Sequence, residues 1–227
     1  FEANAFDTYG EFGDYRISEF EKIDGLRPFL ASKMIRRNGF EAKFGFRVMK
    51  HFKLDFGVTN YWQSPQFEYS YLGDTWNTIF ANVSEAHLGI RFVFREKMVN
   101  MLNQRISMGS DFPTVLFSVD FSDPSLTKGA YYYTRYNAIF EGSKRFRNLG
   151  TSLLRVEGGY VDNVLPATLL FTGEGSRASR TPVVVKNHFQ TQTPYEFLSD
   201  QFVNVHWSHS FGSLLIKWGK FKPDFTL

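Results

Sequence analysis

From Phe40 to Val48, apolar Phe40, Ala42, Phe44, Phe46 and Val48 alternate with Glu41, Lys43, Gly45 and Arg47. After Met49-Lys50-His51 the alternation resumes, with Phe52, Leu54, Phe56 and Val58 set against Lys53, Asp55, Gly57 and Thr59. Side chains of a strand point to opposite faces with period two, so each run predicts a strand with one apolar and one polar face. Two such runs separated by a few residues predict an antiparallel hairpin. The pattern recurs at Ala86, Leu88, Ile90, Phe92 and Phe94, which alternate with Glu85, His87, Gly89, Arg91 and Arg95. It recurs again at Val115, Phe117, Val119 and Phe121, at Leu154, Val156, Gly158 and Tyr160, and at Val203, Val205 and Trp207. Between Tyr131 and Phe146, one face carries Tyr132, Tyr136, Ala138, Phe140 and Phe146 together with Thr134, Gly142 and Lys144, and the other Arg135, Asn137, Glu141, Ser143 and Arg145. About eleven strands are predicted, with no amphipathic segment of helical length between them.

The turns are read from Gly, Pro and Asn. Residues 1–9 and 14–23 are expected to pair across Gly10-Glu11-Phe12-Gly13. Arg37-Asn38-Gly39, with its Asn-Gly dipeptide, predicts a tight turn between a strand at 29–37 and the Phe40 strand. Tyr61 to Tyr71 is expected to stay extended, 96–104 to be a connection, and 105–121 to run back as one strand. Connections at 49–51, 96–104, 147–150 and 212–222 fall on one edge, and those at 73–80, 122–130 and 161–200 on the other.

Composition sharpens the choice of what covers the apolar faces. Aromatic residues make up 18% of 227 residues, with 26 Phe and 11 Tyr. The absence of cysteine excludes disulfides and thiolate metal sites. A net charge of +3, with Lys and Arg spread along the chain, gives no footprint for nucleic acid. No run reaches the ~18 apolar residues of a membrane helix. A mean hydropathy of −0.28 is compatible with a membrane barrel, whose outward and inward residues average out. A soluble sandwich would show the same alternation. Three features favour lipid: strands reaching the ~9–11 residues a tilted membrane strand needs, Tyr and Trp near strand ends, and a polar face crowded with charges of both signs.

The expectation is therefore an all-β, antiparallel up-and-down transmembrane β-barrel, with residues 1–227 part of one barrel domain. Both ends read as strands cut partway, so further parts of the protein, C-terminal strands among them, are expected to lie outside this stretch. Phe40, Phe44, Phe46, Phe52, Phe56, Phe92 and Phe94 are expected to face lipid, and Arg47, Asp55, Arg91 and Glu141 the lumen.

Motifs in the last two thirds add a resemblance. Thr193-Pro194-Tyr195-Glu196-Phe197-Leu198-Ser199-Asp200, followed by His209-Ser210-Phe211-Gly212-Ser213-Leu214-Leu215, resembles a Bacteroidota outer-membrane barrel family of unknown function. Arg105-Ile106-Ser107-Met108-Gly109-Ser110 and Glu157-Gly158-Gly159-Tyr160 are similar to it too. In that family the barrel is joined to a carboxypeptidase-regulatory-like domain and is similar to the Omp85 surface-antigen superfamily. The resemblance spans roughly residues 66 to 227 and implies an outer-membrane location, a periplasmic β-sandwich preceding the barrel, and no established activity. Where Omp85 barrels carry an Arg-Gly-aromatic tip, this chain has Thr172-Gly173-Glu174-Gly175-Ser176-Arg177.

Candidate chemistry is sparse. His206 and Ser208 share a strand face and offer the one hydrolase alternative, but no Gly-x-Ser-x-Gly elbow accompanies them. The five His lack metal-ligand spacing, so no metal or other cofactor is expected. Segment 161–200, interrupted by Pro166, Pro182 and Pro194, is expected to be an extracellular excursion folded partly over or into the barrel mouth. Tyr195, Phe197 and Leu198 are expected to anchor it, leaving Arg177, Arg180 and Lys186 solvated to meet a partner. The function expected is non-enzymatic transport or assembly of surface material. Its expected partners are outer-membrane lipids, lipopolysaccharide and other envelope proteins. The alternatives are a lipid hydrolase and a soluble β-rich binding domain.

Overall fold

The computed structural model describes residues 1–11, 13, 33–49, 51–68, 70–71, 74–75, 81–96, 98–101, 104–107, 110, 113–125, 128–147, 149–173, 175, 189–193, 195–212 and 225–226. The chain is all-β and antiparallel. Its principal sheet comprises β1 (Glu2–Glu11), β2 (Met34–Met49), β3 (Phe52–Pro65), β6 (Ala81–Val93), β9 (Thr114–Ser122), β10 (Tyr133–Phe146), β11 (Gly150–Val161), β14 (Gln201–Gly212) and β15 (Phe225–Thr226). These nine strands stand side by side in chain order. Three two-stranded pieces decorate the connections: β4 (Ser70–Tyr71) with β5 (Asp74–Thr75), β7 (Met98–Met101) with β8 (Gln104–Ser107), and β12 (Phe171–Thr172) with β13 (Leu198–Ser199). Among the described residues β1 and β15 are the sheet edges and do not pair with each other. No described helix is long and apolar enough to cross a membrane, which says nothing about strands.

The central hairpin forms as the alternation requires, with Phe44 opposite Phe56 and a register shift near Arg47 and Met49. One apolar row crosses four further strands: Phe56 meets Leu88, Leu88 meets Val119, Val119 meets Tyr136, and Tyr136 meets Tyr160. Successive connections leave from opposite ends of the sheet, so the meander is up-and-down.

Four local expectations are corrected. Asn38-Gly39 is not a turn but the middle of β2, with Gly39 opposite Tyr61. A Cβ on Gly39 would lie 2.1 Å from the Asn60 carbonyl oxygen, so this glycine serves close strand approach rather than a left-handed turn. Residues 2–11 pair with β2, not with 14–23, which lies outside the described residues. The strand expected over 105–121 begins only at Thr114, because Gln104–Ser107 folds back on Met98–Met101. Tyr61 to Tyr71 is broken after Pro65, where β3 ends, and Ser70–Tyr71 pairs with Asp74–Thr75.

The sheet curls around residues 165–171. Tyr61, Val83, Tyr133 and Val161 from four strands pack with Leu165, Leu169 and Phe171, and Phe6 and Phe202 close the cluster from β1 and β14. This defines an inner face that holds the segment and an outer face turned away from it.

Candidate functional site

The inner face buries polar and charged side chains, while the outer face exposes apolar ones. Arg135 is 1% exposed and Gln63 0%, with Asn137, Ser118 and Glu157 also buried. On the other face Phe44 is 52% exposed, Trp207 61% and Val203 75%.

Register assembles the inner charges. His87 lies opposite Asp120, and Asp120 opposite Arg135. The His87 Nδ1 to Asp120 Oδ1 distance is 2.5 Å. Arg135 Nη1 lies 3.1 Å from Glu85 Oε1 and 3.5 Å from Asp120 Oδ2. The Tyr133 hydroxyl donates to the same Glu85 carboxylate, and the Arg135 guanidinium lies 5.1 Å from the Tyr133 ring centre. Each buried charge thus meets an opposite one, the condition under which burial of ions is tolerated. A second cluster joins Arg155 to Glu157 (3.1 Å) and Glu141 (3.3 Å), with Asn204 Nδ2 donating to Glu157 at 3.0 Å. A third gathers Arg91 and Arg47 on Glu96, the latter contact at 3.9 Å. Against β1 to β3 lies a pocket of about 440 Å³ lined by Asn4, Thr8, Arg37, Glu41, Thr59 and Glu85 among others.

The segment after β11 enters this face. Pro166 leads a 3-10 turn (Ala167–Leu169), which places Leu165, Thr168 and Leu169 inside. Gln63 Nε2 donates to Thr168 Oγ1 at 3.2 Å, and Arg135 Nη2 donates to the Leu169 carbonyl at 3.4 Å. Further on, the Thr172 N–H donates to the Gly13 carbonyl at 3.4 Å, and β12 pairs with β13. The excursion does fold against the sheet, but its anchor is corrected. Phe197 and Leu198 are 53% and 42% exposed and Tyr195 is half-buried, whereas Leu165, Leu169 and Phe171 are buried. The reason is reach: the chain enters the curled sheet directly from β11, while 195–198 stays at the rim beside Gly173, whose N–H bonds the Phe197 carbonyl.

The residues singled out in the sequence sort by face. Phe40, Phe44, Phe46, Phe56 and Phe92 lie exposed on the outer face, and Phe52 is half-buried there. Phe94 is exposed in the turn after β6, its ring 4.9 Å from His51. Arg47, Asp55, Arg91 and Glu141 occupy the inner-face parity, and Arg47 and Arg91 are brought together through Glu96. Arg177, Arg180 and Lys186 lie outside the described residues. His206 and Ser208 are half-buried on the inner-face parity of β14, and the Phe189 ring packs 4.8 Å from His206.

A Ser–His hydrogen bond occurs elsewhere. Ser152 Oγ lies 2.7 Å from His209 Nδ1, and His209 Nε2 lies 2.8 Å from the Leu149 carbonyl oxygen. Because a carbonyl only accepts, Nε2 carries a proton, and a neutral ring accepts the serine proton at Nδ1. The pair sits on the outer face at the end of the apolar rows, where satisfying two polar groups is reason enough for it. Glu85, Asp120, Tyr133 and Glu157 were not among the site residues expected from the sequence. Their alternation placed them on the polar face, but only strand register makes them partners. Among the described residues no group of three His, Asp or Glu is placed to hold a metal ion.

No protein-family model and no curated protein sequence matches the chain.

Proposed function

We propose that the chain is wall of an outer-membrane β-barrel whose inner, charged face lines a lumen and whose outer face meets lipid, and that it acts without catalysis in the transport or assembly of surface material. The observation that carries this is the inversion of faces. A sandwich buries apolar faces and exposes polar ones. Here Arg135, Glu85 and Gln63 are inside, while Phe40, Phe44, Val203 and Trp207 are outside. Soluble monomers rarely expose apolar patches beyond a few hundred Å². The long strands fit as well: β2 has 16 residues and β10 has 14, enough to cross at the usual tilt and project beyond.

Segment 162–173 acts as a partial plug of the lumen, and the partners of the wall are outer-membrane lipids, lipopolysaccharide and other envelope proteins. The resemblance to the Bacteroidota barrel family supports the location and leaves the cargo open. The test is refolding in detergent or lipid followed by electrophoresis with and without boiling. A heat-modifiable band that partitions into detergent is expected, and a monomer stable in buffer without detergent sinks the reading. His206→Ala and Ser208→Ala are expected to leave phospholipid hydrolysis at the level of a no-protein control. Hydrolysis abolished by either substitution would establish the lipid-hydrolase alternative instead.

A further inference from the structure

On the outer face of β10, β11 and β14, one polar row breaks the apolar ones. Ala138 lies opposite Gly158, and Gly158 opposite Val203. The next rows are Phe140–Val156–Val205 and Gly142–Leu154–Trp207. The row after that is Lys144–Ser152–His209, which is polar and is followed by exposed Phe146. Lys144 is exposed, its ammonium 5.5 Å from the Phe146 ring centre, and Arg147 is exposed in the turn just beyond. The Ala138–Gly158 row also pairs two of the smallest side chains on this face. A groove of about 580 Å³ opens there between Phe117, Val203 and the stacked rings of Tyr136 and Tyr160, 6.3 Å apart.

We propose that this strip is a binding site for one anionic glycerophospholipid, with its phosphate at Lys144 and Arg147 and an acyl chain running along the wall into the groove at Ala138 and Gly158. The inference rests on the membrane reading above and adds a specific occupant to it. Dimensions support the fit. From Lys144 back to Ala138 the strand covers about 20 Å at ~3.4 Å per residue, or about 15 Å along the membrane normal at a tilt near 40°. One leaflet of hydrocarbon is about 15 Å thick, so a chain hung from Lys144 ends where the two small residues leave room. Charge complementarity selects the headgroup. Lys144 in the row and Arg147 beyond it are cations, the row holds no carboxylate, and the Ser152 hydroxyl is hydrogen-bonded to His209. Position selects the lipid over lipopolysaccharide, because the 147–149 connection belongs to the short-turn, periplasmic end. Trp207, exposed beside His209, is the amphipathic ring that such a depth favours.

The experiment is native mass spectrometry of the detergent-folded chain titrated with phosphatidylglycerol or phosphatidylcholine of equal chain length. Wild type is expected to retain one phosphatidylglycerol about fivefold more readily than phosphatidylcholine, the preference one surface cation supplies. Lys144→Gln should bring the two lipids to parity, and Ala138→Phe, which fills the groove, should reduce retention of both. A phosphatidylglycerol preference unchanged in Lys144→Gln, no preference in folded wild type, or displacement by lipid A at equal concentration overturns the site. Should Lys144→Gln fail to fold, Ala138→Phe decides alone, and undiminished retention refutes the groove. A wild type with no heat-modifiable band refutes the barrel reading itself, an outcome distinct from a folded barrel without lipid preference.

Discussion

Arg135 concentrates the physics of the inner face in one side chain. It is buried, flanked by Glu85 and Asp120, and it also donates to the Leu169 carbonyl. Removing one member of a buried ionic group leaves its partners uncompensated, at a cost of about 3–5 kcal/mol. Arg135→Ala is expected to lose that much in reversible urea unfolding in detergent, and Arg135→Lys a smaller share, since an ammonium cannot reproduce the planar fork. A loss below 1 kcal/mol for Arg135→Ala would show the network to be energetically idle. The outer face makes the opposite demand. Phe44→Arg should cost about 2–4 kcal/mol if the residue lies near the bilayer midplane, read by the same titration. In Gly45→Ser the new Cβ meets the ends of two flexible side chains, Asp55 Oδ1 at 2.6 Å and Lys53 Cε at 3.5 Å, which can move aside, so a much smaller loss is expected. A negligible loss for Phe44→Arg contradicts lipid contact there. At this scale the sequence was informative about which way a side chain points and silent about whom it meets. Period two places Arg135 and Glu85 on the polar face. That His87, Asp120 and Arg135 form one row depends on register, which alternation leaves free to slide by two.

The elements show where local signals compete with sheet context. Asn38-Gly39 is a strong hairpin signal in isolation. Here β1 and β3 pair along both sides of β2, and Tyr61 presses on the glycine, so the continuous ladder prevails. Segment 161–200 was recognisable as an excursion from its prolines and lost alternation. Its anchor was not, because Leu165, Leu169 and Phe171 follow no period and acquire meaning only from the curled sheet around them. Leu169 is fully buried among Tyr61, Tyr133 and Val161. Leu169→Ala should therefore cost about 2–5 kcal/mol, seen as a lower temperature for loss of the heat-resistant band. In planar bilayers the same variant should show more frequent open events than wild type, because the segment is held inside by this residue and by two hydrogen bonds. Unchanged stability and unchanged conductance together would mean that the segment does not plug the wall.

For the molecule as a whole, the arrangement of ends is the testable consequence of topology. Every second connection lies at the same end of the meander. The 50–51 and 147–149 connections mark one end, and the 123–132 and 162–200 connections mark the other. Membrane barrels keep short turns in the periplasm and longer loops outside, so Val164 should face the medium and Leu149 the periplasm. Both are well exposed, at 83% and 61%, and neither belongs to the inner charged clusters. The chain lacks cysteine, so a single introduced thiol reports without background. Val164→Cys is expected to react with a membrane-impermeant maleimide on intact cells. Leu149→Cys is expected to react only after the outer membrane is opened. Heat-modifiable migration of each variant shows whether the barrel survived the substitution. Labelling of Leu149→Cys on intact cells, with Val164→Cys protected, inverts the orientation. It would also move the Lys144 strip to the lipopolysaccharide leaflet, where the phospholipid assignment fails. Equal labelling of both sites before and after opening means that the sheet does not cross a bilayer, and the exposed apolar rows then need another cover.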